Sequence, residues 1–167
     1  MNELGLTGTG VEVGVYRGEF SQHLVRYSNL TRFFAVDCWT HIEGQVDPLN
    51  QPTAAKVDHM IQAAYRLAEF PHATILRAKS VDAAECFRDL SLDFVYIDAD
   101  HRYEQVLEDI HIWSRKVAPN GILAGHDYHP DFPGVIKAVE HYWRRNREIY
   151  ITQEKAPAEY PSWLVRI

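Results

Sequence analysis

Two short runs hold most of the titratable groups able to do chemistry together, Asp98-Ala99-Asp100-His101 and His126-Asp127-Tyr128-His129. Each closes an apolar stretch, Leu92 to Ile97 and Ile122 to Gly125, that reads as a buried strand. Sites in parallel sheets form at the carboxyl ends of strands, so two neighbouring endings would pool these acids and imidazoles. Carboxylates suit a hard cation such as Mg²⁺, which keeps water or substrate oxygens in its remaining positions. Imidazole beside carboxylate also suits Mn²⁺, Fe²⁺ or Zn²⁺. Asp98, Asp127 and His126 are the expected metal ligands, with Asp100 a further candidate. Singly, each residue has a plainer use: Asp100 and His101 as caps of the following helix, Asp127 as a turn residue before Pro130. All of them at one end of one sheet favours a site.

A second constellation lies near the start, in Val11-Glu12-Val13-Gly14-Val15-Tyr16-Arg17-Gly18. It reads as a short strand breaking into a glycine turn and then a helix, Glu19 to Tyr27, with Phe20, Leu24 and Val25 on one face. Glycine lets backbone pass close to a ligand, and a helix start offers unpaired N–H groups. The spacing is ExGxxxG, not the GxGxxG of dinucleotide sites. A pyrophosphate disfavours a carboxylate such as Glu12 beside it, whereas a sulfonium and an α-ammonium group tolerate or want one. Asp37 ends the next strand, Arg32 to Asp37, 19 residues beyond Gly18. That distance suits an acid meeting a ribose hydroxyl pair; a turn or cap is its plainer use.

The elements that must position these groups alternate between apolar runs and amphipathic segments. Residues 39–52 carry two prolines and no period, and residues 39–56 read as a lid or substrate loop. A helix follows with Val57, Met60, Ile61, Ala64, Leu67 and Ala68 at core spacing, its His59 and the loop's His41 being expected to be solvated. Ala73 to Ala78 is a third strand, with Ser80 the N-cap of the next helix. Tyr103, Val106, Leu107, Ile110 and Trp113 mark a helix leaving through Pro119-Asn120-Gly121, and Val135, Ala138, Val139, Tyr142 and Trp143 mark another. Residues 148–152 and 162–167 read as a terminal hairpin. The residues alone give an α/β domain with a hairpin edge.

ExGxxxG after the first strand resembles motif I of class I S-adenosylmethionine (SAM) methyltransferases. IDADH, APNGILAGHDY and the following GVIKAV are similar to the small methyltransferases related to macrocin-type O-methyltransferases and cephalosporin-hydroxylase-like proteins. The resemblance runs from about Val11 to about Trp143, with Ala99, Asn120, Ala78 and Lys79 departing from it. It implies a Rossmann-like seven-stranded sheet, mostly parallel with an antiparallel C-terminal hairpin and helices on both faces. It implies SAM as cofactor, bound by Glu12, Gly14, Tyr16, Gly18, Asp37, Ser80 and Asp98. The turn that commonly reads Gly-Asp-Ser at the adenine keeps only Ser80, leaving adenine contact to Ser80 or backbone. Related enzymes implicate an acid at each of two strand ends in holding a divalent metal, on which a hydroxyl loses its proton to His101, or else His126. Trp39, Tyr103 and Tyr128 are the expected acceptor walls.

The 167 residues amount to one domain, 1–167, with ordinary globular composition. A net charge of −6 gives no bulk attraction to nucleic acid, and Arg144-Arg145-Asn146-Arg147 reads as a solvated helix end. Cys38 and Cys86 fit neither a disulfide framework nor a ligand pair, so a reducing cytoplasm is expected. No apolar leader or spanning run appears, so no membrane association is expected. The first strand begins by about residue 9, so the N-terminal lid or oligomerisation helices of larger relatives are expected to be missing. The expected partner is a small-molecule acceptor, and a homodimer is compatible with this reading. A metal-dependent hydrolase or hydroxylase-like protein on the same fold, and a non-catalytic nucleotide-binding module, are the competing functions.

Overall fold

The alternation of side chains along the central strands builds two apolar layers at once. The computed structural model describes residues 4–43, 50–153 and 160–167, so the stretch 44–49 of the expected lid lies outside the described residues. In β1 (Thr9–Val13), Val11 and Val13 join one layer while Glu12 points to the other. In β4 (Leu92–Ile97), Val95 and Ile97 join the first layer, Phe94 and Tyr96 the second. Helices α1 (Glu19–Tyr27) and α2 (Thr53–Leu67) cover the second layer through Leu24, Val25, Ala63 and Leu67. Helices α3 (Ser80–Ala84), α4 (Tyr103–Lys116) and α5 (Pro133–Trp143) cover the first through Ala83, Ile110, Trp113 and Val139.

With β2 (Arg32–Asp37), β3 (Ala73–Arg77), β5 (Val117–Gly125), β6 (Tyr150–Ile151) and β7 (Trp163–Arg166), the sheet has seven strands in the order β3-β2-β1-β4-β5-β7-β6. The first five are parallel and β7 runs antiparallel to both β5 and β6. This is the Rossmann-like methyltransferase sheet that the resemblance implied. Register sets the site: Val13 pairs with Val36 and Ile97, and Ile97 with Gly125. The next residues in line, Gly14, Asp37, Asp98 and His126, therefore leave the sheet at one level. They flank the point where chain order reverses on either side of β1, the place where open sheets bind ligands.

Three expectations need correction. The inward face of α2 is His59, Ala63 and Leu67, while Ile61 is 57% exposed, because the polar His59 belongs to the buried stripe. The inward face of α1 carries Ser21 with Leu24 and Val25; Phe20 sits at its margin against the Tyr96 ring. Pro119-Asn120-Gly121 is no helix exit, since β5 already begins at Val117 and absorbs these residues as the β4–β5 ladder shifts register. Asn120 has φ 69, a conformation asparagine adopts more readily than most residues. Among the described residues no helix is long and apolar enough to cross a membrane.

Candidate functional site

The turn after β1 is tied to the turn after β2. Gly14 (φ 90), Tyr16 (φ 54) and Gly18 (φ 82) all take left-handed backbone, folding the turn tightly before Gly18 caps α1. The Asp37 carboxylate accepts the N–H groups of Val15 and Tyr16 on Oδ2, at 2.9 and 3.0 Å, and that of Trp39 on Oδ1 at 2.8 Å. Trp39, buried and at φ 43, returns its indole N–H to the Tyr16 carbonyl at 2.8 Å. Asp37 thus satisfies part of the glycine turn itself. Asp37→Ala strands these donors and is expected to cost about 2–4 kcal/mol in urea unfolding, together with weaker S-adenosylhomocysteine binding by calorimetry.

Glu12 lies beneath the turn and is 1% exposed. Burial raises its pKa well above the usual carboxylate range, opposed by the hydrogen bond that the Ser21 hydroxyl donates to it. Ser21 was missed in the sequence, where its i, i+3, i+4 spacing with Leu24 and Val25 was the available signal.

A cleft of about 470 Å³ opens over these strand ends, with Glu12, Gly14 and Tyr16 in its floor, Asp37 and Trp39 beside them, and Asp98 and His101 towards β4. His59 of α2 also lines it, buried against the Tyr16 ring at 4.4 Å between centroids, so this histidine is not the solvated one expected. Its burial and the nearby Arg17 charge lower its pKa. His41 instead contacts the Asn50 carbonyl at 3.2 Å in the loop. Of the three aromatic walls expected, Trp39 lines the cleft; Tyr103 pairs with His141 and Tyr128 with Glu140 outside it.

Ser80 lines the cleft from the β3 side, but Lys79 occupies the cap position of α3. The Ser80 hydroxyl accepts the Trp113 indole N–H at 2.8 Å and donates to Asp109. Asp109 is 6% exposed, on the α4 face shared by Val106, Ile110 and Trp113. Burial pushes its pKa up to about 7, with the Ser80 hydrogen bond opposing. Between pH about 4 and about 7 the folded chain therefore holds a proton that the unfolded chain has released, and stability falls as pH rises through that window. Asp109→Asn is expected to remove this slope, leaving the variant a few kcal/mol more stable than the parent above pH about 7 and equal to it near pH about 4, as read by urea unfolding at both ends.

At the β4 and β5 ends the two titratable runs meet. Asp127, 5% exposed and at φ 59, lies 2.8 Å through Oδ2 from His101 Nε2 and 2.9 Å through Oδ1 from His126 Nδ1. Burial raises its pKa, but the hydrogen bonds and charges of both histidines outweigh that and hold it at about 2. Burial also pushes Asp98 up to about 6, opposed by the His126 charge and assisted by that of Asp127, while 33% of its side chain stays open. Donor atoms of Asp98, His101 and Asp127 lie within 4.8 Å of one another, and His126 Nδ1 is 4.0 Å from Asp98 Oδ1. Asp100 turns away: the Arg102 backbone N–H and guanidinium engage its carboxylate, and these bonds outweigh burial to lower its pKa. His129 faces Asp131 at 3.5 Å, outside the cluster.

The family model described as a methyltransferase domain matches residues 11–128. No match is found among curated proteins. Solved structures of this fold are numerous. The O-methyltransferase from Bacillus cereus in complex with SAH matches with a TM-score of 0.69 at 13% identity, over 99% of this chain and 76% of that one. A putative rRNA methylase from Clostridium thermocellum matches with 0.68 at 11%, over 99% and 94%. Spermidine synthase from Thermotoga maritima matches with 0.66 at 13%, over 96% of this chain and 54% of that one, so the chain spans about half of the synthase's length. At these identities the likeness is one of fold.

Proposed function

The chain belongs to the methyltransferase-domain family, and we propose that it moves the methyl group of SAM to the hydroxyl of a small molecule with the help of a divalent cation, in the manner of the small O-methyltransferases. The observation that carries this reading is the double position of Asp98, which lines the cleft and also belongs to the cluster with His101 and Asp127. SAM supplies an electrophilic methyl on sulfur. Glu12, Gly14, Tyr16 and Asp37 line the surface that receives it, with Lys56 and His59 of α2 as a further wall, while Gly18 acts behind them by folding the turn into α1.

Two carboxylates and an imidazole form a donor set that fits a divalent cation. Asp98 and Asp127 also raise the cost of each other's charge, which a cation relieves. Held there by Asp98, His101 and Asp127, the cation would lower the pKa of an acceptor hydroxyl. His126, bonded through Nδ1 to Asp127, is then the imidazole left to take the proton. The 2.8 Å contact of His101 Nε2 with Asp127 favours a second reading, in which no cation is used and Asp127 orients His101 as the base. Alignment of oxygen, methyl carbon and sulfur supplies most of the acceleration in either case, up to roughly 7–11 kcal/mol.

Transfer of labelled methyl to a panel of small hydroxyl compounds, before and after chelation, tests the proposal. Loss on chelation and recovery with Mg²⁺ or Mn²⁺ is the expected result. Transfer that survives chelation selects the His101–Asp127 reading, and transfer to nitrogen or carbon acceptors alone overturns the proposal of O-methylation.

A further inference from the structure

We infer that Asp109 reads the purine of the cofactor, its Oδ2 accepting the exocyclic amine of an adenine seated at the Ser80 end of the cleft. This rests on the SAM reading above. Strand ends follow one another along the cleft in the order β3, β2, β1, β4, carrying in turn Ser80, Asp37, the Gly14 turn and Asp98, with Asp127 after β5 next in line beyond it. A nucleoside cofactor whose reacting end lies at the acid–imidazole cluster, and which runs along this line past Asp37, brings its base to Ser80 and the α4 wall.

The polar groups lining that end are Lys79, Ser80, Gln105, Glu108 and Asp109. Lys79, Gln105 and Glu108 are exposed, so water competes for whatever they bind. The Ser80 hydroxyl is committed on both sides, receiving the Trp113 indole N–H and giving its own proton to Asp109 Oδ1. It aims the carboxyl and does not itself read the base. Among the described residues nothing donates to Asp109 Oδ2, although the residue is 6% exposed and lines the cleft. A buried acceptor with an unused oxygen selects an N–H donor and penalises an oxygen in its place. Adenine presents an amine at position 6, whereas hypoxanthine presents an oxo group. The acid that the β3 turn lacks at Lys79 is in this way supplied from α4.

Calorimetric titration of the full chain with S-adenosylhomocysteine and with S-inosylhomocysteine, at about pH 8.5 where Asp109 is ionised, tests the assignment. The parent is expected to prefer the adenosyl ligand by roughly 10- to 100-fold. Asp109→Ala should bring the two ligands within about 3-fold by weakening the adenosyl ligand alone. Asp109→Asn, whose single oxygen keeps the Ser80 hydrogen bond and so presents its amide N–H group in place of Oδ2, should weaken the adenosyl ligand and shift the preference towards the inosyl ligand's oxo group. A purely structural role would weaken both ligands equally, and that outcome overturns the assignment, as does an unchanged preference in Asp109→Ala. Should that variant fail to fold, a crystal structure of the parent with S-adenosylhomocysteine decides: an adenine N6 within about 3.2 Å of Asp109 Oδ2 supports the assignment, and N6 paired elsewhere overturns it. Equal binding of both ligands by the parent overturns Asp109 alone. Binding of neither overturns the SAM reading and this assignment together.

Discussion

Gly14→Ala is expected to abolish S-adenosylhomocysteine binding and to cost the fold at least about 3 kcal/mol. A Cβ on Gly14 would stand 1.8 Å from the Asp98 carbonyl oxygen and 2.4 Å from its carbon, where no side chain can yield because both atoms are backbone. The backbone is itself held: Gly14 N–H donates to the Val36 carbonyl at 2.9 Å, and Asp98 N–H to the Val13 carbonyl at 2.7 Å. Relief would require the β1 and β4 ends to part, displacing Asp98 and the turn latched by Asp37 at the same time. The left-handed backbone at φ 90 adds strain for any residue with a Cβ. Gly5→Ala is the control, since Gly5 has φ 69 with nothing within 4 Å of the added atom, and should lose only about 1 kcal/mol. Urea unfolding and calorimetry of both variants make the comparison; parental stability and binding in Gly14→Ala would show that the two strand ends are not locked as described.

Asp127→Asn carries the second large effect, a fall in methyl transfer of at least about 100-fold with S-adenosylhomocysteine affinity within about 3-fold of the parent. Asparagine keeps the volume and tolerates φ 59, so the backbone is spared the cost of alanine there. The charge that binds His101 and His126 is lost, and one amide position faces a histidine as donor where an acceptor stood. Asp127 does not line the cleft, which is why cofactor affinity should survive. Single-turnover methyl transfer, read beside calorimetry, separates the two quantities. Equal loss of both would mean that the substitution acts on the fold and not on the chemistry.

The strand endings were legible in the sequence because an apolar run that stops in a burst of acids and histidines needs no partner to be noticed. Register then brought Gly14, Asp37 and Asp98 level, as their positions after three such runs implied. Residues that face inward only because another element meets them were not legible. Ser21, His59 and Asp109 break the apolar period of their helices, yet each is buried. Their partners, Glu12, the Tyr16 ring and Ser80, lie outside the helix concerned, so the helix's own pattern does not show them. Periodicity weighs a residue by polarity, so it turned the inward face of α2 towards Ile61 and left His59 outside. Asp37 illustrates the same limit, since its spacing suggested a ligand while its hydrogen bonds to the Gly14 turn depend on how two loops meet.

On the function proposed above, the cleft over the Gly14 turn receives SAM. Calorimetric titration of the chelator-treated chain with S-adenosylhomocysteine, repeated with Mg²⁺ and with Mn²⁺, tests it most directly. Binding at one site with a roughly micromolar Kd is the expected result, and it should weaken in Asp37→Ala. No binding under any of the three metal conditions would contradict the claim and leave the Asp98–His101–Asp127 cluster as the centre of a different chemistry.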